Sequence, residues 1–150
     1  MVIKSGELSR PIHDDVIAMD QIILQSIRHV LSEDHRVIFV YLYGSSIAIR
    51  EYNDIDIAVY AQSNCNPLLL SADIKISLSA VTDIAPDVYD VRIINDLLEK
   101  GDVFALLYLK EVLEYGKLIV DNDSDLRTDF IEAYGTKYRE CEGLIAEVLA

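Results

Sequence analysis

Apolar residues in the first part of the chain recur with the spacing of an amphipathic helix. Residues 14–33 carry them on one helical face, at Val16, Met19, Ile23, Ile27 and Val30. Asp14 and Asp15 open this segment, where the partial positive charge of a helix N-terminus favours acidic side chains. The pattern predicts a helix that begins near residue 14 and ends near residue 33.

The two apolar segments that follow have the patterns of strands. Residues 36–43, RVIFVYLY, form a continuous run rich in β-branched and aromatic residues, which predicts a buried strand. Residues 54–60, DIDIAVY, alternate between two faces. One face carries Ile55, Ile57 and Val59, and the other carries Asp54, Asp56 and Ala58. A connection as short as 44–53 joins antiparallel neighbours more easily than parallel ones, so a mixed sheet is expected.

The rest of the chain interleaves helices with strands. We predict a helix from Asn66–Pro67 to about Thr82 and a strand over 87–95. A helical stretch follows to Tyr115, with a break at Gly101–Asp102. A strand over 116–120 and a last helix over about 123–150 complete the chain, with Gly135 as a weak point of that helix. Such interleaving predicts an α/β (α+β) fold, a mixed sheet with helices packed on it. We expect one domain over 1–150, with its core at about 14–120.

Composition and charge narrow the class of protein. Apolar residues make up 51% of the 150 residues, which excludes a disordered chain. The formal charge is −13, and such a surface repels phosphate backbones, so a general nucleic-acid binder is disfavoured. No apolar run approaches the roughly 20 residues of a membrane span, and residues 1–15 lack the apolar core of a signal peptide. We therefore expect a cytoplasmic protein that does not bind membranes.

The spacing of the cysteines and histidines predicts no disulfide, redox or metal site. Cys65 and Cys141 are far apart, which provides neither a disulfide framework nor a redox or zinc motif. The histidines, His13, His29 and His35, lack metal-ligand spacing. Candidate chemistry therefore depends on carboxylates.

Asp54 and Asp56 share one face of the second predicted strand, so both carboxylates reach the same point in space. Paired carboxylates hold hard divalent cations, and Mg²⁺ bound by few carboxylates keeps positions open for substrate phosphates. Gly44 and Ser45 end the first strand, where backbone amides and a hydroxyl can cradle a phosphate. The alternative is structural: a solvated strand start with one aspartate capping a turn, and an ordinary Gly-Ser turn.

The order strand, Gly-Ser, loop, Asp-x-Asp, strand resembles the nucleotidyltransferase superfamily that includes DNA polymerase beta. DVRIIN at 90–95 resembles the strand that carries the third carboxylate in that superfamily. EYGKLIVDND at 114–123 and LRTDFIEAYGTKY at 126–138 resemble the turn and closing helix of the minimal nucleotidyltransferases. The resemblance covers about residues 14–140 and implies the nucleotidyltransferase fold.

The resemblance selects Asp90 as the third carboxylate, but spacing alone leaves Asp87 open. Asp87, Tyr89 and Val91 share one strand face, whereas Val88, Asp90 and Arg92 share the other. Only one of the two acids can point toward Asp54 and Asp56. Asp87 follows Pro86 and can instead begin the strand.

The resemblance also implies a mechanism and a nucleotide site. Asp54 and Asp56 would hold Mg²⁺ on the phosphates of ATP, and Asp90 would complete the metal site. Gly44 and Ser45 would grip the terminal phosphates. We further predict that Ser46, Arg50 and Tyr52 contact the nucleotide, Tyr52 because it lies beside the Asp-x-Asp motif. An acceptor hydroxyl would attack the α-phosphorus and expel pyrophosphate.

The loop between Gly-Ser and Asp-x-Asp departs from the family pattern. It has only eight residues, SIAIREYN, and a single arginine, Arg50, where family members have ten and an Arg-x-Arg-Gly-like run. Arg50 can contact a phosphate or can pair on the surface with Glu51 or Glu114. The short loop leaves a catalytically weak or inactive binding module as the alternative to an enzyme.

Minimal nucleotidyltransferases of this size resemble the antitoxins of two-gene toxin–antitoxin modules. The resemblance implies a HEPN-type toxin as partner and transfer of AMP from ATP to a tyrosine of that toxin. An acidic surface suits a basic, RNA-cleaving partner, although it is equally consistent with ordinary solubility. Apolar residues predicted on the last helix can face a partner, a second copy or the core: Phe130, Ile131, Leu144 and Leu149.

Overall fold

A computed structural model describes residues 10–44 and 54–150, and helices alternate with strands along them. In chain order the elements are α1 (Arg10–Glu33), β1 (Val37–Tyr43), β2 (Ile55–Ala61), α2 (Pro67–Thr82), a 3-10 turn (Pro86–Val88), β3 (Tyr89–Ile93), α3 (Leu97–Lys100), α4 (Val103–Tyr115), β4 (Lys117–Asp121), α5 (Ser124–Glu140) and α6 (Glu142–Leu149). The predicted first helix therefore begins four residues early, at Arg10 rather than near residue 14. Across the described ranges, no helix combines the length and the apolar character needed to cross a membrane.

The four strands form one mixed sheet in the order β3-β2-β1-β4. β1 pairs antiparallel with β2 and with β4, whereas β2 pairs parallel with β3. The expected antiparallel pairing across the short 44–53 connection is confirmed, and so is the mixed sheet. The parallel step from β2 to β3 is made through helix α2, as a parallel connection requires.

Helices cover both faces of the sheet. One core contains side chains of α1 and α2 packed on Val40 and Leu42 of β1, and the other contains side chains of α4, α5 and α6 packed on Phe39 and Tyr41. All seven residues of β1 are buried, because this strand is central in the sheet and is covered on both sides. A strand that is buried on both faces has a continuous apolar sequence, which explains the residues of β1.

Local side-chain contacts fix several helix ends. The Asn66 side chain accepts hydrogen bonds from the amides of Leu68 and Leu69, and Pro67 opens α2. Gly101 ends α3 with φ +65°, and the Asp102 carboxylate caps α4 by accepting from the Ala105 amide at 2.7 Å. The predicted boundaries at Asn66–Pro67 and Gly101–Asp102 are confirmed.

The last predicted helix is wrong in one respect, because it is two helices. Gly135 lies within α5, and the chain changes direction at Cys141, with φ −106° and ψ 9°. The separate α6 buries Ile145 in the core beneath α4. Burial of that apolar side chain, rather than the weak helix propensity of glycine, sets the position of the break.

Apolar side chains of the last two helices divide between core and surface. Phe130 is buried against Phe39 and Tyr60, so of the three predicted roles it takes the one in the core. Leu144 and Leu149 are 56% and 65% exposed. Only α6 therefore presents large apolar side chains from this predicted set to solvent.

Arg36 connects the turn after α1 to helix α2. Its guanidinium donates to both oxygens of Asp34, at 3.0 and 2.8 Å, and to Asp73 on α2 at 2.9 Å. These hydrogen bonds lower the pKa of Asp34 below its usual value of 3.8. The charged form of Asp34 is therefore favoured by folding, so the pair stabilises the fold above that usual value and loses this contribution as pH falls through the lower folded-state pKa.

We expect Asp34→Asn to reduce the free energy of unfolding by about 1 kcal/mol at pH 7, since it removes a bidentate pair at a partly exposed site. Urea unfolding at pH values from 7 down to 3 measures the difference between variant and wild type. The difference should shrink as pH falls below about 4. An equal difference at every pH would contradict a role for the ionised carboxylate.

Candidate active site

The candidate site lies at the edge of the sheet where β1 ends and where β2 and β3 begin. Asp56 of β2 pairs with Tyr43 of β1 on one side and with Asp90 of β3 on the other. Gly44 follows Tyr43 directly, and Asp54 directly precedes β2 with its side chain exposed. The structure thus brings together Gly44, Asp54, Asp56 and Asp90, which lie far apart in sequence, across three adjacent strands.

Asp56 and Asp90 form a close pair of carboxyl groups. Their Cα atoms are register partners in the parallel pair, so both side chains leave the sheet on the α4 face. The pKa of Asp56 is raised, first by burial, then by the negative charges of Asp90 and Asp54 and by a hydrogen bond with Asp90. Neighbouring carboxylates repel when both are ionised, and a divalent cation between them would remove that repulsion.

Gly44 is held in a conformation that only glycine adopts easily, with φ +78°. A Cβ built on Gly44 would collide with Oδ2 of Asp56 and would lie 3.2 Å from its Cγ. The Asp56 carboxyl group therefore packs directly against the glycine backbone. Glycine is required at this position because of both the backbone angle and the missing side chain.

The structure distinguishes Asp90 from Asp87. The predicted strand over 87–95 is shorter than expected, since Pro86 opens a 3-10 turn that includes Asp87 and β3 begins only at Tyr89. Asp90 lies beside Asp56, whereas Asp87 is exposed in the turn before the strand. Of the two candidate acids, only Asp90 lies next to Asp56.

A tyrosine pair adjoins the carboxylates on the α4 face. The Tyr108 hydroxyl donates to the Tyr43 hydroxyl at 2.7 Å, and the two rings are perpendicular with centroids 5.4 Å apart. Burial raises the pKa of Tyr43, and the charges of Asp56 and Asp90 raise it further. Both hydroxyls therefore stay protonated and neutral beside the acidic groups.

Arg92 completes this neighbourhood from β3. It lies two positions after Asp90 and so on the same strand face, and its Cζ is 4.4 Å from the centroid of the Tyr108 ring. Strand alternation in the sequence already placed Arg92 on that face. The contribution of Tyr108 carried no sequence signal, because it comes from α4 and meets Tyr43 across 65 residues of chain.

Other predicted site residues are not placed. Ser45, Ser46, Arg50 and Tyr52 lie outside the described residues, so their proposed phosphate and nucleotide contacts stay predictions. In the ranges 10–44 and 54–150, no cluster of three or more His, Cys, Asp or Glu side chains is arranged to hold a metal ion. The close pair is Asp56 and Asp90, and exposed Asp54 acts on Asp56 through its charge. Cys65 and Cys141 are both free and partly buried.

The family model described as polymerase beta, nucleotidyltransferase matches residues 25–125. The chain belongs to this nucleotidyltransferase family. The matched range contains all four strands, and with them Gly44, Asp54, Asp56 and Asp90. The nucleotidyltransferase fold inferred from the Gly-Ser and Asp-x-Asp motifs is confirmed.

Solved structures share this nucleotidyltransferase fold. A toxin–antitoxin complex named MntA-HpeT, with two aspartates two positions apart changed to glutamate, matches at 18% identity and a TM-score of 0.53, covering 87% of this chain and 98% of that chain. A second MntA-HpeT structure, with a tyrosine changed to alanine, matches at 20% identity and a TM-score of 0.52 over the same shares. A toxin–antitoxin structure with AMP-PNP matches at 19% identity and 0.52, again over 87% and 98%. None of the curated proteins matches the chain.

Proposed function

We propose that this nucleotidyltransferase transfers AMP from ATP to a tyrosine hydroxyl of a HEPN-type toxin, with Mg²⁺ as cofactor, and so acts as an antitoxin in the cytoplasm. The observation that carries the proposal is the placement of Asp56 and Asp90 side by side, next to the backbone of Gly44. The negative charge of Asp90 raises the pKa of Asp56, so the pair destabilises a site that binds no cation. The presence of two such acids side by side favours a function that needs them.

Carboxylate oxygens are the hard ligands that Mg²⁺ prefers, and the cation is therefore assigned to the acids of this site. Asp54, Asp56 and Asp90 supply hard oxygen ligands, and the exposed sides of Asp54 and Asp90 leave room for phosphate oxygens. Once bound, the metal would neutralise charge on the phosphates and stabilise the attacking and leaving oxygens. Gly44 and Ser45 would grip the terminal phosphates through backbone amides and the serine hydroxyl.

The reaction would be an in-line displacement at the α-phosphorus of ATP. Asp90 helps the acceptor tyrosine to lose its proton, and the phenolate oxygen forms the new bond to phosphorus. The bond from the α-phosphorus to the bridging oxygen breaks, and pyrophosphate leaves with that electron pair. Asp54 and Asp56 would hold the Mg²⁺ that positions the phosphates in line, which lowers the entropic cost of bringing the two reactants together.

Support for a toxin partner comes from the structural neighbours. They are toxin–antitoxin complexes, and one of them contains AMP-PNP. The MntA-HpeT double mutant changes two aspartates with the spacing that Asp54 and Asp56 have here. The formal charge of −13 also suits association with a basic partner.

The second candidate function is an inactive module that neutralises its partner by occlusion. The loop of eight residues before Asp54 favours it, because the family's arginine-rich run is absent. Thermal melting with and without Mg-ATP separates the candidates. A functional site is stabilised by ligand in proportion to the logarithm of concentration over Kd, whereas an inert site is not stabilised.

The direct test is the intact mass of the toxin encoded beside this protein after incubation with this chain, Mg²⁺ and ATP. We expect the toxin to gain one or more AMP units, and we expect Asp54→Asn/Asp56→Asn to abolish the gain because the Mg²⁺ that binds the phosphates would lose two of its ligands. A complex that forms without any gain in mass would reject the transferase and support occlusion. Asp83→Asn, an exposed acid at the end of α2, is the matched control.

A further inference from the structure

A pocket of about 300 Å³ opens on the α4 face of the sheet around Arg92, which lies two residues after Asp90 on the same face of β3. It is lined by Arg92 of β3, Lys100 of α3 and the first turns of α4, including Asp102, Phe104 and Tyr108. We propose that this pocket receives the acceptor, binding a negatively charged side chain that neighbours the acceptor tyrosine. This proposal rests on the proposed function and adds a preference for tyrosines flanked by acidic residues.

The pocket is locally positive in a strongly acidic chain. Within the part of the chain that the structure describes, neither Arg92 nor Lys100 has a carboxylate within ion-pair distance. The one acid in the lining, Asp102, uses its carboxylate to cap α4 by accepting from the Ala105 amide at 2.7 Å. The lining thus carries two cations and one carboxylate, and this excess of positive charge favours an anionic ligand over a basic one.

Aromatic groups give the pocket a shape suited to a ring. Phe104 is 72% exposed although it is a large apolar side chain, and it lies next to the cations. Tyr108 is fixed by its hydrogen bond to Tyr43, and it orients the Arg92 guanidinium over its ring at 4.4 Å. A pre-oriented guanidinium loses less side-chain freedom when it binds a carboxylate. The exposed phenylalanine ring offers an apolar contact to the phenol ring of an acceptor.

The order of the strands indicates that the acceptor approaches the carboxylates from the β3 side of the sheet. Gly44 lies at the end of β1, Asp56 on β2 and Asp90 on β3, in sequence across the sheet. In an in-line displacement the attacking oxygen and the leaving pyrophosphate lie on opposite sides of the phosphorus. If the leaving phosphates are held at Gly44, the acceptor approaches from the β3 side. Arg92 extends from β3 on the same face as Asp90, two residues further along.

The test measures binding directly, with two capped tripeptides as probes, Glu-Tyr-Glu and Lys-Tyr-Lys. Titration by NMR of the full chain with Mg²⁺ and AMP-PNP gives the Kd of each peptide. We expect the acidic peptide to bind in the millimolar range and the basic peptide to bind at least tenfold more weakly. Arg92→Gln and Lys100→Gln should each weaken binding of the acidic peptide at least fivefold, whereas Arg92→Lys should weaken it less than Arg92→Gln, because lysine keeps the charge but loses the stacked guanidinium.

Lys75→Gln is the matched control, since Lys75 lies on α2, which packs on the opposite face of the sheet. Equal binding of the acidic peptide to wild type and Arg92→Gln would overturn the proposal, and so would the absence of binding to wild type at 10 mM peptide. The melting temperatures of the same variants with and without Mg-ATP test the proposed function separately. Loss of the Mg-ATP stabilisation in Arg92→Gln, with peptide binding unchanged, would assign the pocket to the nucleotide instead.

Discussion

Asp90→Asn should lower the rate of AMP transfer to the toxin by about 10³-fold, whereas Asp87→Asn should change it by less than about threefold. The factor of 10³ corresponds to about 4 kcal/mol of transition-state stabilisation, which is the scale of a lost metal ligand. The two acids are separated by only two residues, yet Asp90 lies beside Asp56 and Asp87 lies in the turn before β3. Comparing the two variants therefore tests whether Asp90, and not Asp87, is the acid of this segment that lies beside Asp56.

Asp90→Asn should also leave the fold intact. It removes one charge from a repulsive pair, so the melting temperature without Mg²⁺ should be equal to or above that of the wild type. Initial rates at saturating Mg-ATP, measured as AMP incorporated into the toxin, give the comparison. A loss of activity in Asp87→Asn as large as in Asp90→Asn would show that the assignment of the third carboxylate is wrong.

Gly44→Ala is expected to reduce both stability and activity. The φ of +78° costs a residue with a Cβ about 1–3 kcal/mol, and the new methyl group would collide with Oδ2 of Asp56. A loss of about 2 kcal/mol lowers the melting temperature of a chain of this size by about 4–8 °C. The collision can be relieved only by moving the Asp56 carboxylate or the backbone of β1. Transfer should therefore fall by more than the loss of folded protein explains.

Gly135→Ala is the matched control for that experiment. Gly135 lies within α5, where a Cβ would meet only the Arg139 guanidinium at the ordinary contact distance of 3.5 Å. Alanine in a helix interior is more stable than glycine by about 0.5–1 kcal/mol, so this variant should melt slightly higher and stay active. Calorimetric melting and transfer rates of both variants provide the measurement. Full activity in Gly44→Ala would exclude a tight approach of Asp56 to this backbone.

Much of the fold could be predicted because local signals and burial agree. The continuous apolar run of β1, the alternation in β2 and the Asn66–Pro67 start of α2 each predict an element to within about one residue. The position of Asp54 and Asp56 at the start of β2 follows from the same alternation. These features depend on neighbours in sequence, so the sequence alone contains them.

The features that were missed or left open depend on contacts between distant parts of the chain. Gly135 has the weaker helix propensity, but the helix ends at Cys141 because α6 turns to bury Ile145 under α4. Phe130 is buried because it meets Phe39 and Tyr60 from the sheet. The hydrogen bond from Tyr108 to Tyr43 likewise exists only once α4 has packed on the sheet. Tertiary packing of this kind overrides propensity and leaves no local pattern.

The antiparallel pairing of β1 with β2 bears on how freely the loop between them can vary in length. A slip of one residue in this pair would turn Asp56 toward the α1–α2 core and Ile57 toward the opposite face, so burial fixes the register independently of the loop. Insertions or deletions between residues 45 and 53 therefore need not move Asp56 away from Gly44. The length of this segment can therefore change while the carboxylates stay in place.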